Sequence, residues 1–236
     1  MCGRFTLTLS SEAFEQAMKE TYGLDIEASA AALPRYNIAP DQQVHALIHD
    51  GEGYRLKTFT WGMPTQGGRA SRTLVNARAE TVQEKPRFKE SFLDRRCLIL
   101  ADGYYEWKQN GPGKTPMRIF PASRKLFTMA GLYEPYTTPS GRKDHRCVII
   151  TTEAGSDVAD IHHRMPRILS AETELDWVHP KHREEPRILA SVLTSPVSES
   201  LEHHPVSTLV NSPSNDSEAC IRTVKAFSQT TLFDTM

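Results

Sequence analysis

Cys2 stands directly behind the initiator methionine, in the stretch MCGRF. Removal of Met1 would leave this cysteine with a thiol and a free α-amine on neighbouring carbon atoms. With ordinary pKa values of ~8 for such an amine and ~8.5 for a thiol, both groups react near neutral pH. The thiol can attack an acyl carbon, or the amine can condense with an aldehyde and the thiol then close a thiazolidine ring. Alone, a cysteine at position 2 is better explained by chance.

Two further segments carry groups that can move protons. In ADGYYEWK, Glu106 stands between aromatic residues, a setting that favours partial desolvation and suits proton transfer. In DIHHRMP, a short helical turn ends in His162 and His163, and only one of these two side chains is expected to point inward. The structural alternatives are an exposed strand glutamate and a surface histidine.

The segment LVNARAET places Asn76 and Arg78 two residues apart. In an extended strand these two side chains face the same way. An amide and a guanidinium in that position could bind a sugar hydroxyl and a phosphate. The alternative is a turn between a strand and a helix, with Asn76 as the helix cap.

The elements that must position these groups can be predicted in part. A helix is predicted within SSEAFEQAMKETYGLD, because Ser10 or Ser11 can cap its start and Gly23 can end it. Alternating polar and apolar residues in QVHALIHD and YRLKTFTWG, joined around GEG, predict a β-hairpin.

The rest of the chain predicts the fold class. AETVQEKPRFKESFLDR predicts two helical pieces broken near Pro86, and the following segments predict a succession of strands separated by Gly, Pro and polar turns. Few regular helices lie between these strands, which argues against a doubly wound parallel sheet. We therefore expect one α+β domain over residues 1–236, with a curved, largely antiparallel, barrel-like sheet and peripheral helices.

Composition excludes several classes of protein. No apolar run in the 236 residues approaches the ~20 that a membrane span needs, and no signal segment opens the chain, so a cytoplasmic protein is expected. The four cysteines, Cys2, Cys97, Cys147 and Cys220, form no CxxC pair, so no metal site is expected. Cys97 and Cys147 lie in apolar segments typical of buried strands. No glycine-rich phosphate motif is present, and no cofactor is expected.

Charge is unevenly distributed along a chain whose net charge is −1. The stretch from Gly67 to Arg96 has eight Lys or Arg and four Asp or Glu residues. Such a stretch can face phosphates even on a nearly neutral protein, because the local field decides the contact. On charge alone, an unevenly charged solvated surface is the better interpretation.

Eight motifs follow one another along the chain: MCGRF, RYNIAP, WGMP, NARAET, RCLILADGYYEWK, AGLYEP, IHHRMP and HPVSTLVN. Together they closely resemble the SOS response-associated peptidase (SRAP) family, whose members process abasic sites in DNA. The resemblance covers about residues 2–211 and leaves a tail of about 212–236. It implies a single α+β domain around a curved antiparallel, barrel-like sheet.

The resemblance also implies a function in the DNA damage response. The expected partner is single-stranded DNA that carries an abasic site, including sites at junctions with duplex DNA. Cys2 is expected to crosslink to the ring-opened sugar through a thiazolidine, which shields the strand. The resemblance further implies a monomer that associates with the nucleoid when it binds DNA. It allows an abasic-site lyase activity and a peptidase activity limited to self-processing.

The family pattern assigns roles to nine residues of this chain. The residues expected to act in catalysis are Cys2, Asn76, Glu106 and His162. Those expected to contact DNA, with the arginines on phosphates, are Arg4, Asn37, Pro40, Arg78 and Arg164. In this scheme His162 protonates the sugar ring oxygen, Glu106 moves protons during imine formation, and Asn76 orients a sugar hydroxyl.

The chain departs from the family pattern in two places. Family members often carry a tryptophan after WG that stacks on bases, and the segment WGMPTQGGRASRTLVNAR has none beyond Trp61. Base stacking contributes about 1–3 kcal/mol per base, so weaker DNA binding or a larger role for Arg69 and Arg72 is expected. His163 stands where the family often has aspartate, a change that we expect to be tolerated.

Two other classes of function are compatible with parts of this sequence. An N-terminal-nucleophile hydrolase, amidotransferase or peptidase would also use Cys2, although motifs for glutamine binding are not evident. A DNA-binding module without catalysis would leave Cys2 incidental. Glutaminase activity would favour the first class, and unchanged DNA protection in a Cys2→Ala variant would favour the second.

Overall fold

The computed structural model describes residues 2–27, 32–65, 73–138, 140–196 and 199–224. Within these ranges the strands are β1 (Phe5–Leu7), β2 (Arg35–Ile38), β3 (Gln43–His49), β4 (Tyr54–Trp61), β5 (Met63–Pro64), β6 (Thr73–Leu74), β7 (Asn76–Arg78), β8 (Arg96–Ala101), β9 (Gly103–Asn110), β10 (Gly113–Pro121), β11 (Phe127–Thr137), β12 (Lys143–Glu153), β13 (Arg164–Pro166), β14 (Ile168–Leu169) and β15 (Leu201–Pro205).

The helices within the same ranges are short and peripheral. They are α1 (Ser11–Tyr22), α2 (Pro86–Asp94), α3 (Ala171–Val178) and α4 (Pro186–Thr194), with 3-10 turns at Pro180–Glu184, Thr208–Asn211 and Glu218–Cys220. In the part of the chain that the structure describes, no helix is long and apolar enough to cross a membrane.

Five strands close into a barrel in the order β12, β4, β3, β8 and β11, and β11 pairs with β12 to complete the ring. Four of the five pairings are antiparallel, and β12 pairs with β4 in parallel. The predicted α+β fold with a barrel-like, largely antiparallel sheet is therefore confirmed. β7 extends the barrel wall, since its three residues pair in parallel with β12.

A second, antiparallel sheet carries the first residues of the chain. Its strand order is β15, β10, β9, β1 and β2, so β2 and β15 are its outermost strands. Large apolar side chains of both sheets share one core, in which the ring of Phe5 lies 5.3 Å from that of Trp61. The indole nitrogen of Trp61 donates to the carbonyl oxygen of Val75 at 2.9 Å, so this buried ring leaves no polar atom unpaired.

The predictions of α1 and of the β3–β4 hairpin are confirmed. Ser10 caps α1 by accepting a hydrogen bond from the amide of Ala13 at 3.2 Å. Gly23 ends the helix with a φ of 66°, and its amide donates to the carbonyl of Lys19 at 3.1 Å. Glycine adopts this left-handed conformation without the steric cost that a Cβ atom imposes.

The prediction of two helical pieces around Pro86 was wrong for the first piece. The structure has one helix, which begins at Pro86, and only hydrogen-bonded turns at 79–84. The amide of Ala79 donates to the carbonyl of Thr151 at 2.9 Å, so pairing between β7 and β12 continues where the helix was expected. Long-range strand pairing therefore overrides the local helical preference.

Gly62 is a position where the barrel requires glycine. Its φ is 121°, and an added Cβ atom would lie 2.3 Å from the Cγ2 of Thr73. Gly62→Ala is expected to lower the free energy of unfolding by about 2 kcal/mol or more, because strained backbone and steric overlap add. Gly111→Ala is the control, since φ there is 54° and nothing lies within 4 Å. Equal urea midpoints for the two variants would contradict the assigned overlap.

Candidate active site

The first residues of the chain lie along the strand that carries Glu106. In the pairing of β1 with β9, Phe5 stands opposite Tyr104, and the amide of Tyr105 donates to the carbonyl of Arg4 at 2.9 Å. Continuing this antiparallel register places Gly3 opposite Glu106. Strand pairing alone therefore brings the N-terminal end of the chain to the carboxylate that the sequence singled out.

Cys2 is completely buried at the end of this segment. Its thiol donates a hydrogen bond to the carbonyl of Arg4 with a sulfur–oxygen distance of 3.8 Å. Its own carbonyl oxygen accepts a hydrogen bond from the Nδ2 of Asn76 at 2.9 Å. Asn76 is held by the pairing of β7 with β12, where it lies opposite Ile149. The barrel wall therefore fixes the backbone of the candidate nucleophile.

The surroundings of Cys2 keep its thiol protonated at neutral pH. Burial raises the pKa of the Cys2 thiol, and the negative charge of the nearby Glu106 carboxylate raises it further. Burial also raises the pKa of the Tyr104 phenol well above its usual range, with smaller contributions from Cys2 and Glu106. These three side chains form one electrostatically coupled cluster.

Glu106 and His162 lie close together at this cluster. Glu106 is 4% exposed, and its Oε1 is 3.9 Å from the Nδ1 of His162. His162 is partly buried and His163 is exposed, so the structure agrees with the prediction that one side chain of the pair points inward. Their rings stack with centroids 4.4 Å apart.

The backbone of Arg164 holds the His162 ring in either protonation state. Nδ1 of His162 is 2.9 Å from the amide nitrogen of Arg164 and 3.1 Å from its carbonyl oxygen. An unprotonated Nδ1 can accept from the amide, and a protonated Nδ1 can donate to the carbonyl. The backbone of Arg164 therefore fixes the orientation of the ring.

Two of the three predicted phosphate-binding arginines donate to the chain itself. Arg164 contacts both carboxylate oxygens of Glu80, at 2.7 and 3.0 Å, and the carbonyl of Thr151 at 2.5 Å. Arg4 donates to Asn37, and also to backbone carbonyls near residue 210. Contacts of Arg4 and Arg164 with phosphate stay predictions, and the structure gives both arginines an internal role.

Arg78 differs from these two arginines. It is exposed, and among the residues that the structure describes it has no hydrogen bond or ion pair. Its charge also acts on the Glu80 carboxylate. Arg78 is thus the member of the predicted set whose guanidinium is most available to an anion. Arg69 and Arg72 lie outside the described residues.

The remaining predicted DNA contacts lie in and after β2. Asn37 is completely buried, and its side-chain amide donates to backbone carbonyls of the C-terminal segment. Pro40 is half-buried just beyond the end of the strand. Asn37 therefore has a structural role here, and its DNA contact stays a prediction.

Sequence reasoning gave no role to Tyr104, which the structure places in the cluster. The alternation of side chains along β9 could have identified it, because residues 104 and 106 lie on one face of the strand. Its hydroxyl is buried and has no hydrogen-bond partner among the described residues.

Across the residues that the structure describes, no group of three or more His, Cys, Asp or Glu side chains could hold a metal ion.

The fold and the site define a class of protein: a single-domain α+β barrel whose first residues enter the core beside a carboxylate and an imidazole. The sequence model of one family, SOS response associated peptidase (SRAP), matches residues 1–213. The chain belongs to this family.

Proteins with known names and structures are similar over nearly the whole chain. The abasic site processing protein YoqW of Bacillus subtilis is 42% identical over 226 residues, which cover 94% of this chain and 99% of that protein. The abasic site processing protein YedK of Escherichia coli is 31% identical, covering 95% and 100%. A crystal structure from Bacteroides thetaiotaomicron has the same fold, with a TM-score of 0.76 at 23% identity over 94% of this chain and 100% of that one.

Proposed function

We propose that this protein captures abasic sites in single-stranded DNA by forming a thiazolidine between Cys2 and the ring-opened sugar. The observation that carries the proposal is the convergence of Cys2, the buried Glu106 carboxylate and the His162 imidazole. The names of the relatives from Bacillus subtilis and Escherichia coli support the class of substrate.

The proposed chemistry balances without any redox partner or cofactor. After removal of Met1, the Cys2 amine adds to the sugar aldehyde, and the resulting carbinolamine loses water to give an imine. The thiol then adds to the imine carbon, its proton passes to the nitrogen, and the ring closes. One water molecule is lost overall. Holding the amine, thiol and aldehyde together can contribute an effective molarity of about 10⁵ M or more.

Glu106 and His162 are the proposed proton carriers. An abasic sugar exists mostly as a closed hemiacetal. As its ring C–O bond breaks, His162 can protonate the ring oxygen while the anomeric hydroxyl loses its proton to water and becomes the aldehyde. Glu106 can take the proton that the amine loses on addition and return it to the departing hydroxyl group. Proton transfer by positioned side chains typically contributes 10²–10⁴-fold to a rate, about the range expected here.

The side-chain oxygen of Asn76 is available to accept a hydrogen bond from a substrate. Its Nδ2 binds the carbonyl of Cys2, whereas its Oδ1 is buried without a hydrogen-bond partner among the described residues. A buried acceptor in this state costs about 1–3 kcal/mol, which a bound sugar hydroxyl would recover. We assign Asn76 the orientation of that hydroxyl.

The proposal is tested with single-stranded DNA in which one uracil has been converted to an abasic site. The protein lacking Met1 is expected to give an adduct that survives heating, with a mass equal to both components minus one water molecule. DNA without the abasic site is the control. The absence of any adduct, with the N-terminal cysteine verified by mass spectrometry, would refute the proposed chemistry.

The same substrate tests the narrower parts of the proposal. We expect capture at junctions with duplex DNA as well as in single strands, by a monomer in solution. Trapping the imine should also suppress β-elimination, so strand cleavage by a lyase reaction should fall as adduct accumulates. Release of Met1 by the purified unprocessed chain would identify self-processing, and glutaminase activity would instead favour the amidotransferase alternative.

Arg78→Ala is expected to weaken binding of single-stranded DNA by a similar factor for all base sequences. A phosphate contact contributes a counterion-release term, so the slope of log K against log salt concentration should fall by about 0.7. Arg142→Ala is the control, since Arg142 directly precedes β12 and lies at the opposite end of that strand from Thr151, the partner of Arg78. Identical salt slopes for Arg78→Ala and wild type would remove Arg78 from the DNA-binding surface.

A further inference from the structure

The C-terminal segment of residues 207–224, here called the C-terminal strap, crosses the N-terminal residues of the chain. It contains the 3-10 turns Thr208–Asn211 and Glu218–Cys220, and the side chains of Val210 and Cys220 are completely buried. The family match ends at residue 213. The second half of the strap therefore lies beyond the part of the chain that the family model describes.

Arg4 connects the strap to the nucleophile. Its guanidinium donates to the carbonyls of Val210 and Asn211, the latter at 3.1 Å, and to the Oδ1 of Asn37 at 2.9 Å. Its own carbonyl accepts the thiol hydrogen bond of Cys2. Movement of the strap would therefore displace the residue that orients the Cys2 sulfur.

Asn37 holds the strap through three backbone carbonyls, which share the two N–H groups of its side-chain amide. Its Nδ2 lies 3.2 Å from the carbonyl oxygen of Val210, 3.0 Å from that of Ser212 and 2.7 Å from that of Asn215. Because Asn37 is completely buried, these hydrogen bonds are shielded from water, and losing them would leave buried polar groups unpaired.

Asp216 anchors the strap to β2. Its carboxylate accepts hydrogen bonds from the amides of Tyr36 at 2.5 Å and Asn37 at 2.9 Å. It also forms an ion pair with Arg35 at 2.6 Å, in which both side chains are about one quarter exposed. Hydrogen bonds to a carboxylate are stronger than those between neutral groups.

The strap also reaches the strand of the proposed proton carrier. The indole nitrogen of Trp107, next to Glu106 on β9, donates to the Oδ1 of Asn211 at 2.8 Å. The strap therefore touches both the residue that holds the thiol and the neighbour of the carboxylate.

We propose that the C-terminal strap positions Cys2 for reaction. Asp216 anchors the strap to β2, and Arg4 and Asn37 act as positioning residues. This inference rests on the proposed function, because it concerns the geometry in which Cys2 reacts. It assigns Arg4 and Asn37 an effect on the rate of capture that does not depend on contact with DNA phosphates.

The test uses Asp216→Ala in the full chain, with Glu218→Ala as the matched control. Glu218 is two residues further along the strap, and among the described residues its side chain pairs only with the exposed Arg222. Single-turnover capture should be about tenfold or more slower in Asp216→Ala, because small displacements of reacting groups cost this much or more. The DNA concentration for half-maximal rate and its salt dependence should be unchanged, and Glu218→Ala should match wild type.

A second measurement needs no DNA. Amide hydrogen exchange in residues 2–8 should be faster in Asp216→Ala than in wild type and unchanged in Glu218→Ala. If wild type forms no adduct, the proposed function fails, whatever the exchange data show. If wild type forms the adduct and Asp216→Ala equals it in rate and in exchange, the strap proposal fails. A slower reaction explained entirely by weaker DNA binding would also overturn it.

Discussion

Cys2→Ala is expected to abolish the heat-stable adduct with abasic DNA. Alanine still permits removal of Met1 and keeps the α-amine, but it cannot close the thiazolidine ring. The imine that forms is hydrolysed when the sample is heated. Gel analysis after incubation with abasic single-stranded DNA should show no shifted band for the variant, against nearly complete conversion of wild type.

Two companion variants make this result specific. Cys147→Ala removes a thiol that is completely buried in β12 and should leave adduct formation intact once folding is verified. Cys2→Ser keeps the amine, so borohydride reduction should trap its imine even though no adduct survives heating without the reductant. Full retention of a heat-stable adduct in Cys2→Ala would exclude thiazolidine chemistry.

Glu106→Gln is expected to slow single-turnover capture about 10²–10⁴-fold, because the amide cannot carry a proton between the amine and the departing hydroxyl group. DNA affinity should change little, since this side chain is 4% exposed. The rate constant at saturating DNA is the quantity to measure. Glu153→Gln, at the exposed end of β12, is the control.

The same variant should have the opposite effect on the thiol. In wild type the negative charge of Glu106 raises the pKa of the Cys2 thiol, in addition to the larger effect of burial. Removing that charge lowers the pKa, so more thiolate is present at a given pH. Alkylation of Cys2 by iodoacetamide should therefore begin at lower pH in Glu106→Gln than in wild type, while capture is slower. Parallel loss of both reactions would indicate a disrupted fold and contradict the assigned role.

Much of the fold could be predicted because its signals are local. The cap at Ser10, the stop at Gly23 and the alternation on both sides of GEG depend on neighbouring residues only, and each formed as predicted. The closure of the barrel could not be predicted in this way. It depends on the parallel pairing of β12 with β4, and the position of Asn76 depends likewise on the parallel pairing of β12 with β7. These pairings join segments about 70–90 residues apart, and no local pattern encodes their register.

The residue types of the candidate site could be proposed from the sequence, whereas most of their contacts could not. Glu106 and His162 were singled out from their neighbours in the chain. Strand pairing brings Glu106 to the N-terminal residues, and His162 lies beside Glu106. Arg4 and Asn37 were assigned to DNA through resemblance alone. Their contacts with the strap are hydrogen bonds to backbone carbonyls. Because every residue has such a carbonyl, the amino-acid sequence does not indicate which ones Arg4 and Asn37 contact.

The C-terminal strap has one more consequence, because it meets the second sheet at both outermost strands. On β2 the Asp216 carboxylate occupies the amides of Tyr36 and Asn37. On β15 the amide of Val224 donates to the carbonyl of Pro205 at 3.0 Å, beside a bridge between Val206 and Thr223. Unpaired strand edges are templates for the addition of strands from other chains. One segment thus covers both outer edges of the second sheet. Displacing it would expose these edges to strand addition and, at the same time, disturb the contacts that position Cys2.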